Sequence, residues 1–390
     1  MSGRLTRRRA FRALLVLVGV TTIAVAGGLW AGAAFHYGDT LPRWSVEGEA
    51  PHVFASGDEW VVHTVHGTRD AGYWLDVERR PRGEPFTLAV EFPRDGSRFS
   101  VPVHEAFVTP PTRYHDGAPI IAISDIEGNY GAFRDFLIAS GVIDAALNWT
   151  FGTGHLVLVG DFVDRGPSVT HVLWFIFRLE QLAEAQGGHV HYILGNHELK
   201  TLQGDYAAAH RLHTLVTTVL GRPQAELFGD DALLGRWLMS KNVAEVINGT
   251  LFVHGGMHPS LGERSYSLED VNRIVRMHYR RVWYPARDAG RDEVLLDPAT
   301  GPSWYRGYFK DDLSRSDVTQ AIARFGATTV VVGHTLQSRV RLLHDRTVVA
   351  IDVKHPWDYR SGVPPRRSEG VRLEGGKMWR VLEDGRRVEL

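Results

Sequence analysis

Five short apolar runs punctuate the middle of this chain, and each stops abruptly on polar side chains. PIIAISD reaches Asp125, with Glu127 two residues on, and HLVLVGD reaches Asp161, followed by Asp164 and Arg165. HVHYILGNHE carries Asn196 and His197, TLFVHGG carries His254, and TTVVVGH ends at His334. Uninterrupted apolar runs suit strands buried on both faces. Helical stretches such as HVLWFIFRLEQLAEAQ lie between them. The alternation predicts an α/β fold, and such sheets place ligand sites just beyond the carboxyl ends of their strands. All five polar groups therefore converge on one rim.

Taken singly, each group has a bland explanation. An Asp after a strand commonly caps a helix, and a His commonly packs in a core or sits at a surface. As an ordered set they offer carboxylates, an amide oxygen and imidazoles, which are donors for Mn, Fe, Zn or Mg. The 390 residues include no Cys, which excludes disulfides, thiolate metal sites and a cysteine nucleophile. With 44 Lys+Arg against 45 Asp+Glu, the formal charge of -1 leaves no global field for nucleic acid, and no nucleic-acid partner is expected.

The ordered blocks SDIEG, GDFVDRG, GNHE, VHGG and VVGHT resemble the calcineurin-like metallophosphoesterases. They are most similar to the phosphoprotein phosphatase branch and its bacterial Shewanella-like members. The resemblance spans residues 120–353 and includes NGTLFVHGGMHPS and GPSWYRGY. It implies a β-sandwich of two mixed sheets flanked by helices. It also implies two divalent metal ions, with Asp161 bridging them. One ion would also be held by Asp125 and the residue at 127, the other by Asn196, His254 and His334. A hydroxide bridging the ions would attack phosphorus in line. His197, oriented by Asp164, would protonate the leaving oxygen, while Arg165 and Arg306 would grip the phosphate oxygens.

Two positions depart from the family pattern. Glu127 stands where the family writes His, which adds a carboxylate and shifts the expected metal towards Mn or Mg. His258 stands where a small hydroxyl residue is usual, and is expected at the surface. Trp304, Tyr305 and Tyr308 around Arg306 either wall a pocket or simply pack. Asp205 in QGDY resembles an element of the Shewanella-like group that approaches the pocket.

The amino-terminal segment differs in kind from the rest. Arg4, Arg7, Arg8, Arg9 and Arg12 precede ALLVLVGVTTIAVAGGLWAGAAF, residues 13–35, which carries no charge. Residues 1–35 read as a membrane anchor or a cleaved signal peptide, and RRRAF resembles a twin-arginine export signal. Either reading places the remainder outside the cytoplasm, periplasmic or anchored in the inner membrane. Residues 36–50 read as a tether, 51–108 as a small antiparallel β accessory unit, and 109–119 as a linker. Residues 120–390 form the catalytic domain, with a helical cap at 199–250. The tail segment SGVPPRRSEG reads as an exposed loop.

The expected function is a metal-dependent phosphomonoesterase acting on a phosphorylated protein or a small phosphate ester. One alternative is a phosphodiesterase or pyrophosphohydrolase acting on nucleotide or lipid-linked phosphates. Another is a non-catalytic cell-envelope binding protein that recruits partners through residues 51–108.

Overall fold

The computed structural model describes residues 2–38, 44–287, 290–310 and 313–390, with side chains from Phe11 onward. The arginine side chains at 4, 7, 8 and 9, and residues 39–43 of the expected tether, lie outside what is described. Two compact units result, one of residues 1–40 with 359–366, the other of 41–358 with 367–390. In the first, a helix runs Ser2–Trp30, and strand Phe35–Tyr37 pairs antiparallel with Ser361–Val363. Its segment Phe11–Trp30 is long and apolar enough to cross a membrane, and none of it is buried.

Among the described residues the second unit holds two six-stranded mixed sheets. The first places His189–Ile193, His155–Val159 and Ile120–Ile123 side by side and parallel. Strands Glu369–Glu374, Lys377–Leu382 and Arg387–Glu389 extend it antiparallel. The second runs in the order Arg341–Leu343, Val348–Ala350, Thr329–Val332, Thr250–Val253, Ala244–Ile247 and Arg113–Tyr114. Val157, Val159 and Ile193 of the first sheet meet Phe252, Val331 and Val349 of the second in one core. This is the expected β-sandwich. Its five site-bearing strands are fully buried apart from the first two residues of His189–Ile193, which is why their sequences lack alternation.

Helix Val169–Glu184 explains where residues 51–108 go. Every residue from Val169 to Phe177 is buried, so this half of the helix must be covered on more than one side. Strand His189–Ile193 packs on it, and so does the hairpin Phe86–Phe92/Ser97–Val103. Phe99 lies 5.2 Å from Phe175 between ring centroids, and Trp174 Nε1 donates to Pro51 O at 2.8 Å. A three-stranded antiparallel sheet, His52–Ser56, Glu59–Thr68 and Gly72–Pro81, completes this part. Residues 51–108 thus share one compact unit with the sandwich.

Three expected boundaries move, each for a packing reason. Ser45, Val46, Glu49 and Ala50 are buried, so the tether does not extend through residue 50. Within 109–119, Arg113–Tyr114 pairs parallel with Ala244–Ile247 as an edge strand. The helices of the 199–250 stretch end at Met239, because Ala244–Ile247 and Thr250–Val253 are interior strands.

Glu49 is the energetic oddity of this region. Its buried carboxylate bonds Thr170 Oγ1 at 2.6 Å and His52 Nε2 at 3.1 Å. Burial pushes its pKa up, but the His52 bond and the nearby His52, His213 and His171 outweigh this and bring it down to about 2. A carboxyl whose folded pKa lies below its ordinary value stabilises the fold above that ordinary value. The contribution is lost as the pH falls towards the folded pKa. Between pH about 4.5 and about 2 the protein should therefore lose on the order of 1–3 kcal/mol through this group. Thermal melts across that window should show a shallower dependence on pH in Glu49→Gln than in the parent.

Candidate metal and phosphate site

The site is built where two strand-end loops interlock. Glu127 N donates to Asp161 O and Gly128 N to Phe162 O, each at 2.9 Å, while Gly166 N returns a bond to Glu127 O at 2.8 Å. Such close approach leaves no room for side chains at the crossing points. A Cβ on Gly195 would lie 2.3 Å from Asp161 Oδ1, and one on Gly160 would lie 2.5 Å from His254 Nδ1. Asp125, Glu127, Asp161, Asp164, Arg165 and His334 all adopt left-handed backbone, with φ between 51° and 67°. Non-glycine residues hold that conformation only where surrounding bonds enforce it, and such strain gathers at functional sites.

Asp161, His254 and His334 offer donor atoms that all lie within 4.8 Å of one another. His254 Nδ1 donates to Val159 O at 2.7 Å, which turns Nε2 towards Asp161 Oδ2 at 3.1 Å and Asn196 Oδ1 at 3.2 Å. Burial works against charge on His254, but the carboxylates of Asp161 and Asp125 raise its pKa to about 10. His334 is the opposite case, because burial, His254 and Arg306 push it down to about 2. It is therefore neutral. Burial raises the Asp161 pKa, but His254 and His197 outweigh it and hold the carboxyl well below the usual range. A buried carboxylate, an amide oxygen and a neutral imidazole around one position fit a divalent cation, which would take the place of the proton on His254.

The remaining expected ligands border this cluster. Asp125 Oδ2 accepts the backbone N–H of His334 at 3.2 Å. Glu127 instead forms an ion pair with Arg165, so a cation at this position competes with a guanidinium.

His197 stands on the flank of the donor cluster. Its Nδ1 donates to Asp164 Oδ2 at 2.6 Å, and its Nε2 lies 3.2 Å from Arg165 Nη2 and 3.9 Å from Asp161 Oδ2. Burial alone would lower its pKa, but the Asp164 bond and the charge of Asp161 raise it, which favours a ring able to give up a proton. Arg306 donates to His334 O and, at 3.1 Å, to Thr335 Oγ1, so it is anchored beside that ligand.

Trp304 lies 6.4 Å from the His334 ring and borders a groove of about 160 Å³, also lined by Lys200 and Asp205. Tyr305 and Tyr308 are buried, and Tyr308 bonds the backbone of Met257. His258 is half-buried, with Nδ1 accepting from Ser260 N at 3.1 Å, and its ring packs against Tyr305.

Two acids escaped the sequence reading. Glu198 is fully buried and accepts backbone N–H bonds from Asp161, Phe162, Val163 and Gly195, together with the Tyr192 hydroxyl. It is the last residue of GNHE, and its place at the third position of a helix beginning at Asn196 was the available signal. Asp352 follows strand Val348–Ala350 in IDV, and burial together with Glu127 raises its pKa to about 7. It ends the apolar run TVVAID much as Asp161 ends HLVLVGD, and that was the available signal.

Residues 118–338 match the family model described as calcineurin-like phosphoesterase. A crystal structure of the cold-active protein-tyrosine phosphatase of a psychrophilic Shewanella species is similar, with a TM-score of 0.72 and 29% identity. That match covers 88% of this chain and 99% of the other. Shewanella-like protein phosphatase 2 of Arabidopsis thaliana is 25% identical over 319 residues, 67% of this chain and 78% of the relative. A symmetrical bis(5'-nucleosyl)-tetraphosphatase of Aromatoleum aromaticum is 31% identical over 142 residues, 36% of this chain and 45% of that one.

Glu198→Gln keeps the size of the side chain but replaces an acceptor oxygen with a donor facing backbone N–H groups. It should cost about 2–4 kcal/mol of stability. Thermal unfolding should register the loss, and metal analysis of the folded fraction should show weaker retention, since the Asp161 and Asn196 loops lose their common anchor.

Proposed function

The chain belongs to the calcineurin-like phosphoesterases, and from that premise we propose that it removes phosphate from phosphorylated protein side chains. It is a metal-dependent phosphatase. The observation that carries the proposal is the pairing of the Asp161–His254–His334 donor cluster with a His197 imidazole held by Asp164 on its flank. In our reading Asp161, Asn196, His254 and His334 hold one divalent ion, and Asp125, Glu127 and Asp161 hold a second. When bound, such ions neutralise phosphate charge and lower the pKa of water.

The chain's own groups supply the rest. Asp164 fixes the His197 ring so that Nε2 can deliver a proton to the departing oxygen. Arg165 and Arg306 flank the cluster and present forked donors that suit a terminal phosphate dianion. This arrangement favours a monoester over a diester, which has no dianionic end. With Glu127 in place of an imidazole, the second position is all oxygen, so manganese is the preferred ion, ahead of zinc. The similarity to protein phosphatases of the Shewanella-like group supports a phosphoprotein substrate. The unburied apolar helix Phe11–Trp30 and the arginines before it support a catalytic unit working outside the cytoplasm.

The test is turnover of the manganese-loaded protein on a phosphopeptide, a phosphodiester and a dinucleoside polyphosphate. The phosphopeptide should be preferred by at least about 10-fold. Asp161→Asn should reduce turnover about a thousandfold with loss of bound metal. Glu127→His should bind the second ion more tightly, since it also breaks the pair with Arg165. A dinucleoside polyphosphate as the best substrate would overturn the phosphoprotein reading.

A further inference from the structure

Beside Asp164 lies a small cavity lined by buried polar groups that the mechanism above does not use. His213 comes from helix Arg211–Leu220 and is 5% exposed. Its Nε2 is buried and has no hydrogen-bond partner. The ring lies close to the backbone of Gly166, and Nε2 is left without a protein partner. Burial lowers its pKa and keeps the ring neutral.

His213 and Asp164 line the same small cavity, together with Tyr206, Thr201, Val163 and Leu227. Its volume is about 10 Å³, close to the space that one water occupies. One water there would bond the Asp164 carboxylate and His213 Nε2 at once. The same segment braces the catalytic loop directly, since Arg165 N donates to Ala208 O at 3.0 Å.

We propose that His213 is a positioning residue for the Asp164–His197 pair, acting on Asp164 through one water held in this cavity. Asp164 must aim His197 Nδ1 so that Nε2 points at the departing oxygen. A carboxylate bonded at one oxygen by His197 alone is free to rotate about its Cβ–Cγ bond. A second bond from the cavity water removes that freedom. Glu49 is buried nearby and is among the charges acting on His213.

This inference rests on the reading of His197 as the proton donor, and the experiment separates the two. The full-length protein and its His213→Phe, His213→Gln and Asp164→Asn variants are compared on two monoesters. One is 4-nitrophenyl phosphate, whose leaving group needs little protonation, and the other is a phosphoserine peptide, whose alkoxide needs it fully. His213→Phe should lower kcat on the phosphoserine peptide about 10-fold, while the nitrophenyl ester changes less than about 2-fold. KM and metal content should stay level. His213→Gln, which keeps an acceptor near the cavity, should recover most of the loss. Equal losses on both substrates, or none on either, would overturn the role of His213. If Asp164→Asn shows no dependence on leaving group, the proton-donor reading fails and the inference falls with it. Should His213→Phe not fold, a crystal structure that resolves bound waters decides the matter. A water within hydrogen-bond reach of both His213 Nε2 and Asp164 is expected, and a dry cavity refutes the proposal.

Discussion

Glu198 is a carboxylate taken wholly out of water with no basic side chain bonded to it, an arrangement that is costly unless every lone pair is used. Here the lone pairs are used by main-chain N–H groups of Asp161, Phe162, Val163 and Gly195. Those donors come from two loops that leave adjacent parallel strands, His155–Val159 and His189–Ile193. One side chain therefore locks the loop that presents Asp161, Asp164 and Arg165 to the loop that presents Asn196 and His197. The Tyr192 hydroxyl adds a bond from the strand itself at 2.9 Å, which ties the anchor to the core. Without this junction the loops that carry Asp161, Asn196 and His197 would lose their shared anchor.

Unfavourable backbone is concentrated at the same rim. Asp125, Asp161 and His334 each end a strand and then turn in left-handed conformation, so that the side chain projects across the strand ends. The second sheet reaches the same place through His254, whose Nδ1 bonds Val159 O of the first sheet. A backbone carbonyl at the end of one sheet thus orients a donor imidazole carried by the other. Gly160 is required at this contact, because its neighbours leave no space for a Cβ beside the His254 ring. The two sheets are held at the core by apolar packing and at the rim by polar geometry, and the site occupies the second of these seams.

The parts that were legible in the sequence are those in which local pattern and site chemistry coincide. Apolar runs ending in Asp125, Asp161, Asn196, His254 and His334 announced both the buried strands and the rim. Residues 51–108 were legible as antiparallel strands but not as part of the same compact unit, although the clue was present. The run VLWFIF in helix Val169–Glu184 is apolar on every face, and such a stretch needs a second cover. Asp358 was invisible for a different reason. It works through partners far away in the chain, accepting Tyr130 N and Gly131 N at the start of a helix more than 200 residues earlier. Periodicity and motif spacing carry no trace of such contacts. Glu198 lay between these cases, visible as a residue of a motif and silent about the loops it joins.

Glu127 shows how one substitution is absorbed by such a site. Its backbone bonds, to Asp161 O through its N–H and from Gly166 N to its carbonyl, do not depend on the side chain. The loop geometry therefore survives the exchange of imidazole for carboxylate. The side chain then meets Arg165 on one side and Asp352 on the other, and these neighbours act in opposite directions. Arg165 draws Glu127 away from the donor cluster, while negative charge shared with Asp352 and Asp161 favours a cation nearby. A neutral imidazole at this position would feel neither pull. In our reading, a cation at the second position would compete with the Arg165 guanidinium for this carboxylate.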